Sequence, residues 1–403
     1  MTIDNSGLWW PRLLPLLAAT IAVGTDAWIV AGFLPALAGD MAVSTGTAGL
    51  SVTVFAVAYA LGAPILAAST SPLRPRAIIT VALVMLALAN ILCAVSGGFA
   101  LFLAGRVFAA LAASIVTPAA GVLAARVSGE ERRGRALALV VAGLTVATAV
   151  GVPLGSALAS VANWRSALVG VAALAVVAAI LIHLTAPNPA PGRRQRLAER
   201  LAPLRQPRIV AILLLTSLGM ASAYVPYTYI ATLLPPGESG WLIGVLTAYG
   251  IGAVAGSLTS GSLTDRIGGN RTLTIAYVLM AVAFLVFASR PPAIIGMVAA
   301  AVWGAASWMQ TPPQQHRLLA AAPTSGLVTI GTNASALYIG IAVGNALGGA
   351  LLCAGPAVLC WVGAAGALAA LVWNIVLSLT PAQEERDGDR GGDAQTAVHP
   401  DGR

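Results

Sequence analysis

Ala149–Leu158 reads AVGVPLGSAL, and Ala342–Leu351 reads AVGNALGGAL. Seven of the ten positions are identical at an offset of 193 residues. Thr117-Pro118 recurs as Thr311-Pro312 at an offset of 194. A near-constant offset across two separate stretches marks a chain built from two copies of one unit. Both copies lie in long apolar runs. A helix needs about 20 apolar residues to cross a bilayer. Twelve stretches meet that need: residues 12–34, 47–69, 77–95, 99–122, 136–158 and 164–184, then 208–232, 241–263, 272–289, 292–313, 326–350 and 356–379. These predict an all-α membrane protein with twelve transmembrane helices in two pseudo-symmetric six-helix bundles. The expected organisation is an N-terminal bundle over 1–184, a Pro- and Arg-rich cytoplasmic linker over 185–207, a C-terminal bundle over 208–379, and an acidic, Gly-rich cytoplasmic tail over 380–403 that reads as disordered. Duplicated halves are a transporter pattern, with the site at the repeat interface.

Composition agrees. The 403 residues are 58% hydrophobic and 9% charged, where a soluble protein carries about 25% charged residues. All 22 basic residues are arginine, spread over short loops, so the net charge of +8 does not point to nucleic acid. With the N-terminus in the cytoplasm, 19 of the 22 arginines fall in cytoplasmic segments. Arg165 and Arg290 fall on the other side, and Arg106 lies inside a span. The positive-inside rule therefore predicts both termini in the cytoplasm. The first span lacks a basic leader and a clear cleavage site, so it reads as a retained helix. Cys93, Cys353 and Cys360 lie in apolar surroundings with no ligand-like histidine nearby. Cys353 and Cys360 flank one loop and could pair, yet buried free thiols are the expectation. His183 and His316 sit near span ends and read as surface residues. No Walker loop, metal cluster or nucleophile–base set is present, so neither ATP drive nor a cofactor is expected.

Asp26 stands in the apolar run Leu13–Leu34 and is the one acid inside any span. An ionised carboxylate in hydrocarbon costs several kcal/mol, which makes it a functional-site candidate. Arg106 lies inside the run Phe99–Val122. Asp26 is fourteen residues beyond Arg12, about 21 Å along a helix. Arg106 is about 10 Å below the opposite surface of a core about 30 Å thick. The two charges match in depth. They either share a cavity or each bind backbone or water separately.

Gly261-Ser-Leu-Thr-Asp265-Arg266-Ile-Gly268 falls between the eighth and ninth spans. It resembles the GxxxDRxG loop of the major facilitator superfamily, whose acid and arginine latch neighbouring helix ends. The first-half loop departs from that pattern, with Ser71 for the acid and Pro72 for the first arginine. Gly143, followed by Gly151-Val152-Pro153-Leu154-Gly155, resembles the glycine-proline motif of the superfamily's drug/proton antiporters. Gly252 and Gly256 of the eighth span form a GxxxG step read as its matching face. Arg106 is similar to the family's fourth-span arginine. Trp303-Gly-Ala-Ala-Ser307-Trp308, Pro313-Gln314-Gln315, Asn333-Ala-Ser335-Ala-Leu337-Tyr338, Gly340-Ile341 and the TDAWIVAGFLP around Asp26 resemble the twelve-helix antiporter branch. That branch includes bacterial purine-base, arabinose and chloramphenicol-type exporters.

The resemblance implies export of a small organic compound by alternating access, with Asp26 binding the proton and Arg106 tuning it. Gly261, Asp265, Arg266 and Gly268 would gate. Tyr224, Tyr227, Trp308, Asn333 and Tyr338 are candidates for the substrate cavity. Tyr224, Tyr227 and Tyr229 with Trp308 equally fit an interfacial aromatic belt. The expected partners are protons, an uncharged or weakly charged amphipathic ligand and the lipid bilayer, with the protein a monomer. An importing symporter, a non-transporting sensor and an intramembrane enzyme are the alternatives.

Overall fold

The structure, a computed structural model, describes residues 13–191, 196–234, 239–322 and 326–379. The tail over 380–403 and part of the linker lie outside the described residues. Among the described residues, twelve helices are long and apolar enough to cross a membrane. They are α1 (Leu14–Gly32), α2 (Thr45–Thr70), α3 (Pro75–Ala94), α4 (Phe99–Ser128), α5 (Gly134–Val161), α6 (Trp164–Thr185), α7 (Pro207–Tyr227), α8 (Leu242–Ile267), α9 (Gly269–Ala288), α10 (Ala293–Ala321), α11 (Thr329–Ala354) and α12 (Pro356–Leu379). No strand occurs among the described residues.

Local sequence explains where many of them begin. Ser44 caps α2 by accepting the Thr47 N–H at 3.0 Å, and Asn163 caps α6 through Ser166 N–H at 2.9 Å. Pro75, Pro207 and Pro356 open α3, α7 and α12, where a missing N–H costs nothing. The outward faces carry large aliphatic residues. Leu61, Leu88, Leu154, Leu258 and Val372 are each more than half exposed. Each such leucine gains about 2 kcal/mol on leaving water for an apolar surrounding, so this surface belongs in lipid.

Several spans extend past the sequence estimate, furthest at α4, to Ser128, and at α10, to Ala321. Helical backbone runs without interruption over Phe99–Val146, so the connector between α4 and α5 is itself helical. Leu137 nonetheless packs against Gly121, so the chain reverses direction within that stretch. α7 ends earlier than expected, at Tyr227. Beyond it the Thr228 hydroxyl bonds to the Asn345 amide oxygen and the Tyr229 hydroxyl donates to the Asn345 carbonyl at 3.0 Å.

The two halves share one set of neighbours. α1 packs on α5 and α6 as α7 packs on α11 and α12. α3 packs on α4 and α6 as α9 packs on α10 and α12, and α2 packs on α4 as α8 packs on α10. The two largest seams between the halves are α2 with α11 and α5 with α8. The repeated decapeptide sits in α5 and α11, and in both halves its glycines are where the first helix of that half comes closest. Thr25 and Ile29 of α1 lie against Gly151 and Gly155; Ala221 and Val225 of α7 lie against Gly344 and Gly348. One end of the molecule carries Arg74, Arg126, Arg208 and Arg266, and the opposite end carries Asp40.

Candidate functional site

Asp26 lies in the last turn of the α-helical part of α1, Leu14–Trp28, before the backbone tightens to 3-10 form over Ile29–Gly32. Arg106 reaches it from α4. Nη1 donates to Asp26 Oδ1 at 2.8 Å and Nη2 to the Asp26 carbonyl at 3.1 Å. Neither side chain has any exposed surface. The carbonyls of a final helical turn lack regular partners, which leaves this one free for the guanidinium. Mutual neutralisation offsets part of the several kcal/mol that each bare ion would cost here. The pairing is incomplete. Arg106 Nε and the Oδ1 of Asn90 have no hydrogen-bond partner, and the second carboxylate oxygen of Asp26 has only the Asn90 side chain beside it. A carboxylate with one held and one open oxygen is chemically suited to take up a proton. The ring of Phe55, from α2, covers the guanidinium with 4.3 Å from its centroid to Cζ.

A pocket begins one half-turn beyond Asp26. Trp28 meets Trp308 edge to face, with centroids 5.3 Å apart. These two line the pocket with Met220 and Tyr224 of α7, Ser307 of α10 and Leu337 of α11. The space holds about one water molecule. It lies between the halves, and most of its wall comes from the second. Of the five cavity candidates, Tyr224 and Trp308 line it. Tyr227 instead joins a ring cluster in the second half, 4.7 Å from Tyr249 and 6.0 Å from Trp303. Tyr338 stacks on Tyr59 of α2 at 3.7 Å, across the α2–α11 seam. Asn333 accepts from Thr216 at 3.0 Å and is absent from the pocket wall. Tyr229, counted in sequence with an aromatic set on one span, falls beyond α7 and packs against Gly49, Gly348 and Gly349. It is a plug in the α2–α11 seam.

The glycine-proline motif lies along α1. A Cβ on Gly143, Gly151 or Gly155 would collide with Thr20, Thr25 or Ile29. Backbone over Ala147–Gly151 is π-helical. Pro153 cannot donate to the preceding turn, and the widened turn ahead of it absorbs that loss. The pairing expected between this motif and Gly252/Gly256 is corrected by the structure. Those two glycines press on the Ala301 and Ala305 carbonyls of α10, within their own half. The contact from α8 to α5 is made by Gly250, whose Cβ would strike Ala149 and the Thr148 carbonyl. A GxxxG step reports a face that a helix can approach closely, not which helix does so.

Asp265 and Arg266 are exposed at the arginine-rich end and make no ion pair among the described residues. Gly261 is open on its Cβ side. Gly268 has φ +85°, and its N–H returns to Thr264 O at 2.9 Å to close α8. That backbone favours glycine strongly. The second ion pair among the described residues was not anticipated. Asp40 bonds to Arg165 at the opposite end and accepts from Trp164 Nε1 at 3.2 Å. The guanidinium hydrogen bond holds the Asp40 carboxyl below the usual carboxylate range. All three cysteines are free thiols, Cys93 and Cys360 buried and Cys353 exposed. His183 and His316 are exposed.

The comparisons with known proteins agree with this architecture. The family described as Major Facilitator Superfamily matches residues 16–323 and 209–399. An uncharacterised transporter of that type, YbcL from Bacillus subtilis, is 30% identical, covering 92% of this chain and 96% of its own. The chloramphenicol resistance protein of Streptomyces lividans is 32% identical, covering 83% and 87%. Among solved structures, the xylose transporter XylE from E. coli in a partially occluded, inward-open conformation superposes with a TM-score of 0.74 at 13% identity, over 93% of this chain and all of that one. With twelve helices among the described residues long and apolar enough to cross a membrane and a family match spanning nearly its whole length, this chain belongs to the Major Facilitator Superfamily and is a multi-pass membrane transporter.

Proposed function

We propose that this transporter is a proton-coupled antiporter that exports a small, uncharged or weakly charged amphipathic compound by alternating access. The observation that carries the reading is the solvent-free Asp26–Arg106 pair beside a pocket walled by both halves. A proton entering from outside neutralises Asp26 at Oδ2 and leaves it when the site faces inward. Substrate moves outward on the deprotonated form. The pocket walls are largely aromatic and aliphatic, with polar groups on Ser307, Tyr224 and the two tryptophans among the lining residues, which suits a ligand with a flat apolar body. The similarity to a chloramphenicol resistance protein supports export of such a compound. The bundles over 1–184 and 208–379 would rock against each other about the linker in a monomer. Asp265 would latch the arginine-rich end when that end closes. The arginine distribution supports both termini in the cytoplasm.

Everted vesicles test the reading. Adding substrate to vesicles holding a proton gradient should dissipate it, and Asp26→Asn should abolish that response. Undiminished proton movement in the variant would overturn proton carriage by Asp26. Substrate accumulating together with protons would instead establish a symporter.

A further inference from the structure

Phe55 lies between two features that have so far stood apart. One face of its ring covers the Arg106 guanidinium, 4.3 Å from Cζ. The same ring lies 6.4 Å from Tyr338 and 6.5 Å from Tyr59. Those two tyrosines stack on each other across the α2–α11 seam. A continuous set of contacts thus runs from Asp26 through Arg106 and Phe55 to the join between the halves. We propose that Phe55 is the positioning residue through which the charge of Asp26 is felt at the α2–α11 seam. The inference rests on the proton-carrying reading of Asp26.

While Asp26 is ionised, its carboxylate neutralises much of the Arg106 charge at 2.8 Å. Once Asp26 is protonated, the guanidinium is a cation in a dry site. Asn90 and Cys93 of α3 and Tyr338 of α11 also face the pair, and none of them carries a compensating negative charge. What remains to Arg106 is two neutral acceptors of Asp26, its Oδ1 and its main-chain carbonyl, and the face of Phe55. A desolvated cation over an aromatic face is a strong contact, worth roughly tenfold or more in an equilibrium. The hold of Arg106 on Phe55 therefore tightens on protonation. Because Phe55 is also packed on Tyr338, tightening draws it away from the seam. Ordinary core packing would make the ring's bulk matter and its π face irrelevant, and that difference separates the two readings.

The test is a coupling measurement on the full chain in lipid. Spin labels at Leu61→Cys on α2 and Val343→Cys on α11, both exposed, report the seam. The exposed Cys353 is replaced by Ser; Cys93 and Cys360 are buried. Asp26→Asn, which mimics the protonated acid, is compared with Asp26 in three backgrounds: Phe55, Phe55→Leu and Phe55→Trp. The expected result is a shift of about tenfold in the ratio of seam conformers with Phe55, less than twofold with Phe55→Leu, and recovery with Phe55→Trp. Equal shifts in all three backgrounds, or none in any, would overturn the proposal. Substrate-driven proton movement is recorded for the same Asp26→Asn protein. If that movement is undiminished while the seam still responds, the proton reading fails and the contact chain stands.

Discussion

The N-terminal half is organised around a charge pair, and the C-terminal half around rings, although both are built on one packing plan. The glycine contacts that place Thr25 and Ile29 on α5 place Ala221 and Val225 on α11, so Ser222 occupies the register of Asp26. Ser222 donates to the Gly363 carbonyl at 2.6 Å. Counting back equally from Thr117 and Thr311 gives Arg106 in one half and Ala300 in the other. Counting back from the paired loop positions Ser71 and Asp265 gives Phe55 and Tyr249. Tyr249 packs on Trp303 at 5.2 Å, and Trp303 also meets Tyr227, Phe284 and Phe287. Volume that holds an ion pair in the first half is thus taken up by aromatic edges in the second. Rings carry no charge at neutral pH and so no ionic desolvation penalty, which suits the second half to be the fixed wall and the first half the part that responds.

The sharpest break of this contrast is Arg106→Ala. It leaves a buried carboxylate unpaired and should cost about 3–5 kcal/mol of stability, with loss of proton-driven export. Giving the first half the second half's own residues, Asp26→Ser with Arg106→Ala, should restore most of the stability and none of the export. Thermal unfolding in detergent, beside vesicle proton movement, reads both. Next in size is Trp303→Ala. It empties the centre of the ring cluster and should cost about 3 kcal/mol or more. The residual folded protein should keep its response to Asp26→Asn, and loss of that response would show that the second half is more than a wall.

A smaller effect is expected at the α5–α8 seam. Gly250→Ala puts a methyl group against Ala149 backbone, an overpacking that costs about 1–3 kcal/mol. It should slow turnover while leaving substrate affinity within a fewfold of the original, which a kcat against KM comparison resolves. The smallest effect is at Asp40. Its carboxyl is held low by Arg165, so its contribution is present above the ordinary carboxylate pKa and is lost as pH falls through the lowered folded value. Asp40→Asn should move Tm slightly at neutral pH. The difference should shrink in high salt and disappear at acid pH.

What the sequence made legible follows from the cost of each feature. A carboxylate or guanidinium in an apolar run has no cheap explanation, so Asp26 and Arg106 stood out, and counting residues along two helices put them at one depth. The duplicated decapeptide stood out because helix crossings at that distance require small residues. Phe55 and Tyr59 did not, since a ring in an apolar span looks the same whether it faces lipid, core or cation. The partner of Gly252 and Gly256 was misread because small-residue spacing carries no address. The Asp40–Arg165 contact joins two helix ends far apart in sequence, which no local pattern reports.

The pocket with room for about one water has a kinetic consequence. On the proposed reading, a ligand larger than water enters only after walls such as Trp28 and Trp308 part, so association would wait on how often they open and not only on collisions. Its observed rate should level off as ligand concentration rises. The apparent affinity is also reduced by the fraction of time the gate is open. Discrimination among compounds then has two stages: arrival before the tryptophans close again, and bulk enough to keep them apart.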